Sequence, residues 1–153
     1  MVDVSLQIVD VHRDPHAARR LASGKYRINQ ELNEEWADIQ NNGPYVLNLQ
    51  GRVLACVKRQ GLIKAPRGFE TLRYAQLRAN STIPLQPGQK VRVFTGEQPR
   101  SSTHITDGTR LSRVLWLVQN TYLWLPEGNE AHLYLSLQDL RQAKAPLARF
   151  LLR

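Results

Sequence analysis

Residues 32–54 constrain the fold of this chain more than any other stretch, because they hold two strand patterns separated by the turn signal Asn41-Asn42-Gly43-Pro44. Before the turn, residues 36–40 alternate between polar or aromatic and small or apolar side chains. After the turn, apolar residues recur at nearly alternate positions over 46–54, and Gly51 fits a β-bulge. The stretch therefore predicts a β-hairpin.

The rest of the chain adds more short strands and only two short helices. Strand patterns occupy residues 2–11, 91–95, 111–125, 131–135 and 147–152, and a change of phase in the first predicts a bulge near Ile8. One helix is predicted over 16–22 and a second from a capping box at 136–139 to residue 145. Many short strands with regular turns predict one all-β domain over residues 1–153, a sandwich closed in Greek-key fashion.

Positive charge is concentrated in the middle of the chain. Residues 52–113 carry 12 Lys and Arg against 3 Asp and Glu, a balance of +9 within a total of +8. Such a region favours a polyanion if the cations share a face, whereas a solvated outer strand face is the alternative. We therefore name a hypothetical nucleic-acid-binding set that would contact the backbone of DNA or RNA without reading bases: Lys58, Arg59, Lys64, Arg67, Arg73, Arg78, Lys90 and Arg92.

Aromatic residues near the end of the chain supply the competing hypothesis. Trp116, Tyr122 and Trp124 would hold a protein partner, or another copy of the chain, if they lie on loops or on an open sheet edge. Packing in the core is the alternative for all three, and it is favoured more for Trp124 than for Trp116. A docked protein is the primary functional prediction, and nucleic-acid binding is the alternative.

No arrangement of residues in the sequence amounts to a catalytic site. Glu34 and Glu35 are adjacent, so on one strand they point to opposite faces, as at a solvated strand end, and cannot flank a substrate together. Residues 101–104 place serines beside an imidazole, but no orienting acid is recognisable. We therefore predict that the protein is not an enzyme.

Metal binding, redox chemistry and membrane insertion are not predicted either. His12 and His16 have a helical metal-ligand spacing, but Pro15 places the helix start between them, and no cofactor motif is present. Cys56, the one cysteine, lies in an apolar run typical of a buried thiol. The first twenty residues lack a continuous apolar segment, so a soluble, cytoplasmic protein is expected.

Short motifs in a fixed order carry a family resemblance. They occupy residues 35–43, 49–51, 85–96, 103–104, 122–124 and 128–134. In order and spacing, over most of residues 4–135, the chain resembles the bacterial branch of the lamin tail domain family. That resemblance implies an immunoglobulin-like β-sandwich that works as an interaction module, with protein, chromatin or DNA contacts described for nuclear members.

Two departures from the family pattern lie near the ends of strands. Arg52 occupies the position of the family's tryptophan after Leu-x-Gly, and residues 124–129 replace its Trp-Asn-Asn-x-Gly-Asp turn. Residues 111–118 also form a longer segment than the family norm. Because loops carry function on a conserved framework, these departures favour a partner specific to this protein. The fold alone does not choose the ligand.

Overall fold

The computed structural model describes residues 5–24, 31–59, 69–77, 82–97, 113–142 and 144–152. Within these residues two helices, Ala17–Ser23 (α1) and Leu137–Arg141 (α2), accompany a 3-10 turn at Leu32–Glu34. The strands are Leu6–His12 (β1), Trp36–Asn41 (β2), Leu47–Asn48 (β3), Val53–Arg59 (β4), Phe69–Gln76 (β5), Pro84–Leu85 (β6), Lys90–Phe94 (β7), Arg113–Trp116 (β8), Glu130–Tyr134 (β9) and Ala148–Leu151 (β10).

Two four-stranded sheets pack face to face. The first has the order β1-β2-β7-β8 with a parallel β7–β8 pair, and the second has the antiparallel order β10-β9-β4-β5. Strands β3 and β6 form a separate two-stranded ladder. The shared core includes Leu6, Ile8, Ile39, Val91 and Val93 from the first sheet and Leu54, Cys56, Ala75, Ala131 and Leu133 from the second. The predicted all-β sandwich is confirmed.

The predicted hairpin over residues 32–54 is wrong. Its two arms, β2 and β4, belong to opposite sheets, so the turn carries the chain across the sandwich. Asn41 directs this crossing: its side-chain amide donates to the carbonyls of Tyr45 (2.7 Å) and Leu85 (2.9 Å), and its Oδ1 accepts the Gly43 amide (2.9 Å). Gly51 lies in a turn before β4 with φ +82°, and the bulge in β4 falls at Cys56/Val57 instead.

Other local predictions are confirmed, except that α2 ends at Arg141 rather than at residue 145, and that only Arg113–Trp116 of the described part of the 111–125 pattern forms a strand. The register of β1 against β2 shifts between Ile8 and Asp10, where the change of phase predicts a bulge. Helix α1 begins after the Asp14 carboxylate accepts the His16 amide (2.8 Å) and closes at Gly24, whose φ of +68° suits glycine. At α2 the Ser136 hydroxyl accepts the Asp139 amide (3.1 Å), as its capping box requires.

Cys56 lies fully buried beside Gly128. Burial raises the pKa of its thiol to about 11, which fits the predicted inert cysteine. A Cβ atom on residue 128 would come within 2.2 Å of the Cys56 Sγ and 3.3 Å of the Leu125 carbonyl oxygen. Glycine at this position therefore lets the residues 126–129 turn close against β4.

We expect Gly128→Ala to lower the free energy of unfolding by about 1–3 kcal/mol, because the added methyl overpacks the contact with the Cys56 Sγ. Urea denaturation of the wild-type and variant proteins measures the loss. The control is the same substitution in a Cys56→Ala background, where the clash is relieved and the cost should shrink. An equal cost in both backgrounds would contradict this explanation.

Candidate functional site

Within the described residues, the two sheets contact each other edge to edge on one side of the sandwich and leave a cleft on the other. On one side, β1 contacts β9 and β10 across the two sheets. On the other side, β5 and β8 are the edge strands, and in the described residues neither has a second strand neighbour. Because an edge strand presents unpaired backbone groups, this side offers an edge that another chain can pair with.

A cleft of about 530 Å³ lies between β5 and residues 116–119 and is bounded by Leu137 and Arg141 of α2. It touches three consecutive residues of β5. Ala75 faces the shared core opposite Leu54, whereas Tyr74 and Gln76 lie opposite Ala55 and Val53 on the outer face of the sheet. A cavity that reaches both faces of one strand must run along the edge of that strand.

A second cleft, of about 600 Å³, continues along β5 between Phe69 and Tyr74 and meets the first at Tyr74 and Arg141. We call the two clefts together the edge groove. Tyr74 is 43% exposed in it. Arg73 and Arg141 are the charged residues among the described lining of the edge groove, which contains no Asp or Glu. The groove thus combines an open strand edge, walls with both polar and apolar side chains, and positive charge.

Val118 marks the wall of the edge groove opposite β5. Its φ of +55° is a conformation that β-branched residues rarely adopt, and its side chain is 63% exposed. Three backbone hydrogen bonds hold the segment, because the amides of Leu117, Val118 and Gln119 donate to residues 94, 96 and 95 at 2.8, 3.0 and 2.9 Å. A strained exposed residue fixed by its surroundings is typical of a functional surface.

The structure separates the three aromatic residues proposed for a protein interface. Trp116 is half-buried, stacks on Phe94 with ring centroids 4.8 Å apart, and lines the edge groove. Tyr122 and Trp124 are 0% and 1% exposed, so they are framework residues and their assignment to an interface is corrected. Their positions in the core give them no face to offer a partner.

Arg92 does not belong to an exposed basic surface. It projects away from Val91 and Val93, as the alternation predicts, but it is 4% exposed. Its guanidinium donates to both carboxylate oxygens of Asp38, at 2.9 Å and 3.1 Å, and lies 4.5 Å from the centroid of the Trp36 ring. A buried bidentate pair of this kind leaves no charge for a phosphate, so this residue is removed from the nucleic-acid set.

The other members of the nucleic-acid set differ in their surroundings. Lys58 is exposed, whereas Arg59 pairs with Glu130 and lowers the pKa of that carboxyl by its hydrogen bonds. The Arg73 guanidinium donates to the Tyr122 carbonyl (3.2 Å), and the Lys90 ammonium lies 4.0 Å from Asp38. Lys64, Arg67 and Arg78 lie outside the described residues.

Glu35 departs most from its predicted surroundings. It is 0% exposed rather than solvated, and its Oε2 accepts the Thr95 hydroxyl (2.5 Å) and the Leu123 amide (2.8 Å). Its Oε1 has no hydrogen-bond partner among the described residues. Burial raises the pKa of this carboxyl to about 7. Glu34 behaves as predicted and faces Arg20 at the surface.

An ionic cluster joins helix α1 to Tyr122, which follows the edge-groove residues 116–119 in the chain. The Tyr122 hydroxyl donates to the Asp14 carboxylate (2.5 Å), which Arg20 also contacts at 2.5 Å. Burial alone would raise the pKa of Asp14, but these hydrogen bonds, the His16 amide and the Arg20 charge hold it below its usual range. The cluster therefore stabilises an ionised carboxylate, and it explains why Tyr122 is buried.

The described residues contain no group of three or more side chains suited to a metal ion. His12 stacks on Trp36, with ring centroids 4.3 Å apart. The Ser101–His104 pairing considered from sequence lies outside the described residues. No described helix is long and apolar enough to cross a membrane.

Comparisons with known proteins leave the family unassigned. No family model matches the chain, and no curated protein shows significant similarity to it. The resemblance to lamin tail domains therefore stays a prediction.

Proposed function

We propose that this chain is a non-catalytic interaction module, an adaptor that docks a protein partner in the edge groove. The observation that carries the proposal is the cleft along the edge of β5, with Tyr74 exposed on one wall and Val118 on the other. A concave surface with both polar and apolar lining, beside a strand edge that has no neighbour in the described residues, suits a protein segment. The resemblance to lamin tail domains, which are interaction modules, supports the same class of function.

Nucleic-acid backbone binding is the second candidate, and the +9 balance of residues 52–113 favours it. Within the described residues, however, the carboxylates of Asp38 and Glu130 already pair with three of its proposed contacts. Backbone binding needs several cations directed at phosphates together. The described surface therefore supports protein docking better.

The test compares two substitutions of exposed valines. We expect Val118→Lys to reduce recovery of a protein partner from native extract at least tenfold, because the new ammonium would be buried against the docked segment. Val46→Lys is the matched control, since Val46 is 51% exposed and does not line the edge groove. Affinity capture on immobilised protein at moderate salt, with quantitative mass spectrometry, gives the measurement.

Equal recovery by all three proteins would contradict docking at this groove. Recovery that disappears after nuclease treatment, or falls steeply with salt, would favour the nucleic-acid alternative. In that case, Lys58→Glu with Lys64→Glu and Arg67→Glu should abolish binding. Sedimentation of the purified proteins tests whether the partner is a second copy of the chain. A dimer formed by the wild type and lost in Val118→Lys would identify it as such.

A further inference from the structure

We propose that the occupant of the edge groove is an extended acidic segment of the partner, added as a strand beside β5, with its acidic side chains facing Arg141. This inference rests on the proposed function and specifies the chemistry of the partner. It is carried by the position of the groove, by the sign of its charges and by the alternation of its walls.

The position of the edge groove fits a guest strand. Its first cleft reaches the inward Ala75 and the outward Tyr74 and Gln76, so it occupies the space beside the backbone of β5. The two clefts together extend from Phe69 to Gln76, the whole length of β5. A strand paired there would gain backbone hydrogen bonds along an edge that has no neighbour in the described residues.

The charges of the edge groove select an anionic guest. Arg141 ends α2, is exposed, and makes no ion pair with a described residue. Arg73 adds a second positive charge, although its guanidinium also donates to the Tyr122 carbonyl. With no carboxylate among the described lining residues, a basic guest would meet only like charge.

The two walls of the edge groove suit a segment whose side chains alternate between acidic and aliphatic. Side chains on one face of an added strand would point towards α2 and meet Tyr74 and Arg141, whereas those on the other face would meet Leu117 and Val118. The first set suits Asp or Glu, and the second suits Val, Ile or Leu. A segment in which acidic and aliphatic residues alternate satisfies both walls.

Single-stranded nucleic acid is the less suitable anion. Its affinity depends on several cations along the backbone and on aromatic faces for the bases. The described lining of the edge groove offers aromatic side chains but only two arginines, one of them already bonded to a carbonyl, so it lacks the row of cations that a nucleic-acid backbone needs. Backbone amides at a strand edge are groups that a peptide can pair with.

Three capped eight-residue peptides test the inference by fluorescence anisotropy with the full chain. The first alternates Glu and Val, the second alternates Lys and Val, and the third has the composition of the first with its four Glu in one block. We expect the first to bind at least tenfold more tightly than either of the others. Hydrogen exchange should slow at the amides of β5 when it binds.

Arg141→Glu should weaken binding of the Glu-Val peptide at least tenfold. Arg149→Glu is the matched control, because Arg149 is also exposed but lies on β10 at the other edge of the sheet. Equal affinity for the Glu and Lys peptides, unchanged binding by Arg141→Glu, or slowed exchange away from β5 would each overturn the inference. Displacement of the bound peptide by a thymidine oligonucleotide, without slowed exchange at β5, would assign the groove to nucleic acid.

The two proposals can fail separately. If capture of a protein depends on Val118 but the acidic peptide does not bind, docking stands and the acidic-strand inference is overturned. If capture does not respond to Val118→Lys, the proposed function itself fails.

Discussion

Asp38→Ala is expected to lower the free energy of unfolding by about 3–5 kcal/mol, because it removes the carboxylate that forms a bidentate pair with the buried Arg92 guanidinium. The two side chains are 2% and 4% exposed, and their paired hydrogen bonds measure 2.9 Å and 3.1 Å. Stacking over Trp36 cannot replace the lost hydrogen bonds. Chemical denaturation monitored by tryptophan fluorescence measures the change.

Asp10→Ala provides the control for this prediction. Asp10 lies opposite Asp38 in the β1–β2 register but is exposed, so its removal should change stability by less than about 0.5 kcal/mol. Replacing both partners, with Asp38→Leu and Arg92→Met, should recover most of the loss, since no buried charge remains. A loss below about 1 kcal/mol for Asp38→Ala would show that water reaches the guanidinium.

The difference in unfolding free energy between Glu35→Gln and the wild type is expected to favour the variant more at pH 8 than at pH 4.5. The pKa of Glu35 is about 7 in the folded state and 4.5 for an ordinary glutamate, so between these values the folded state holds the extra proton. Wild-type stability at this site therefore falls as pH rises through the window, by roughly 3 kcal/mol in total. Glutamine carries no titrating proton and escapes this loss.

The measurement is the difference in unfolding free energy between Glu35→Gln and wild type at several pH values. His132 titrates in an overlapping window with the opposite sign, because burial lowers its pKa and stability falls as pH drops below about 6.5. Since both proteins contain His132, its contribution cancels in the difference. A difference that stays constant from pH 4.5 to 8 would mean that folding does not raise the pKa of Glu35.

Alternation in the sequence predicts where strands occur but not which strands pair. The patterns of β7 and β9 identify both strands, because one residue in two is apolar in each. The same evidence makes β2 and β4 look like partners, although β2 lies between β1 and β7 and β4 lies between β9 and β5 in the other sheet. Pairing depends on contacts between residues far apart in sequence, which local periodicity does not contain.

Burial of charged residues is also decided by tertiary structure. Glu35 and Arg92 lie in segments that resemble solvated strand faces, yet both are buried, because Thr95, directly after β7, and Asp38 of β2 supply their partners. The edge groove could not be predicted for a related reason. It exists only because β5 and β8 are both edge strands on the same side, which requires the strand order of both sheets.

The reactivity of the Cys56 thiol reports local opening of the core. Cys56 carries the only thiol in the chain, it is fully enclosed beside Gly128, and its pKa of about 11 keeps it protonated at neutral pH. A thiol reagent can therefore modify the protein only when the contact between β4 and the 126–129 turn opens. The rate of that modification therefore measures how often this part of the core opens in the native protein.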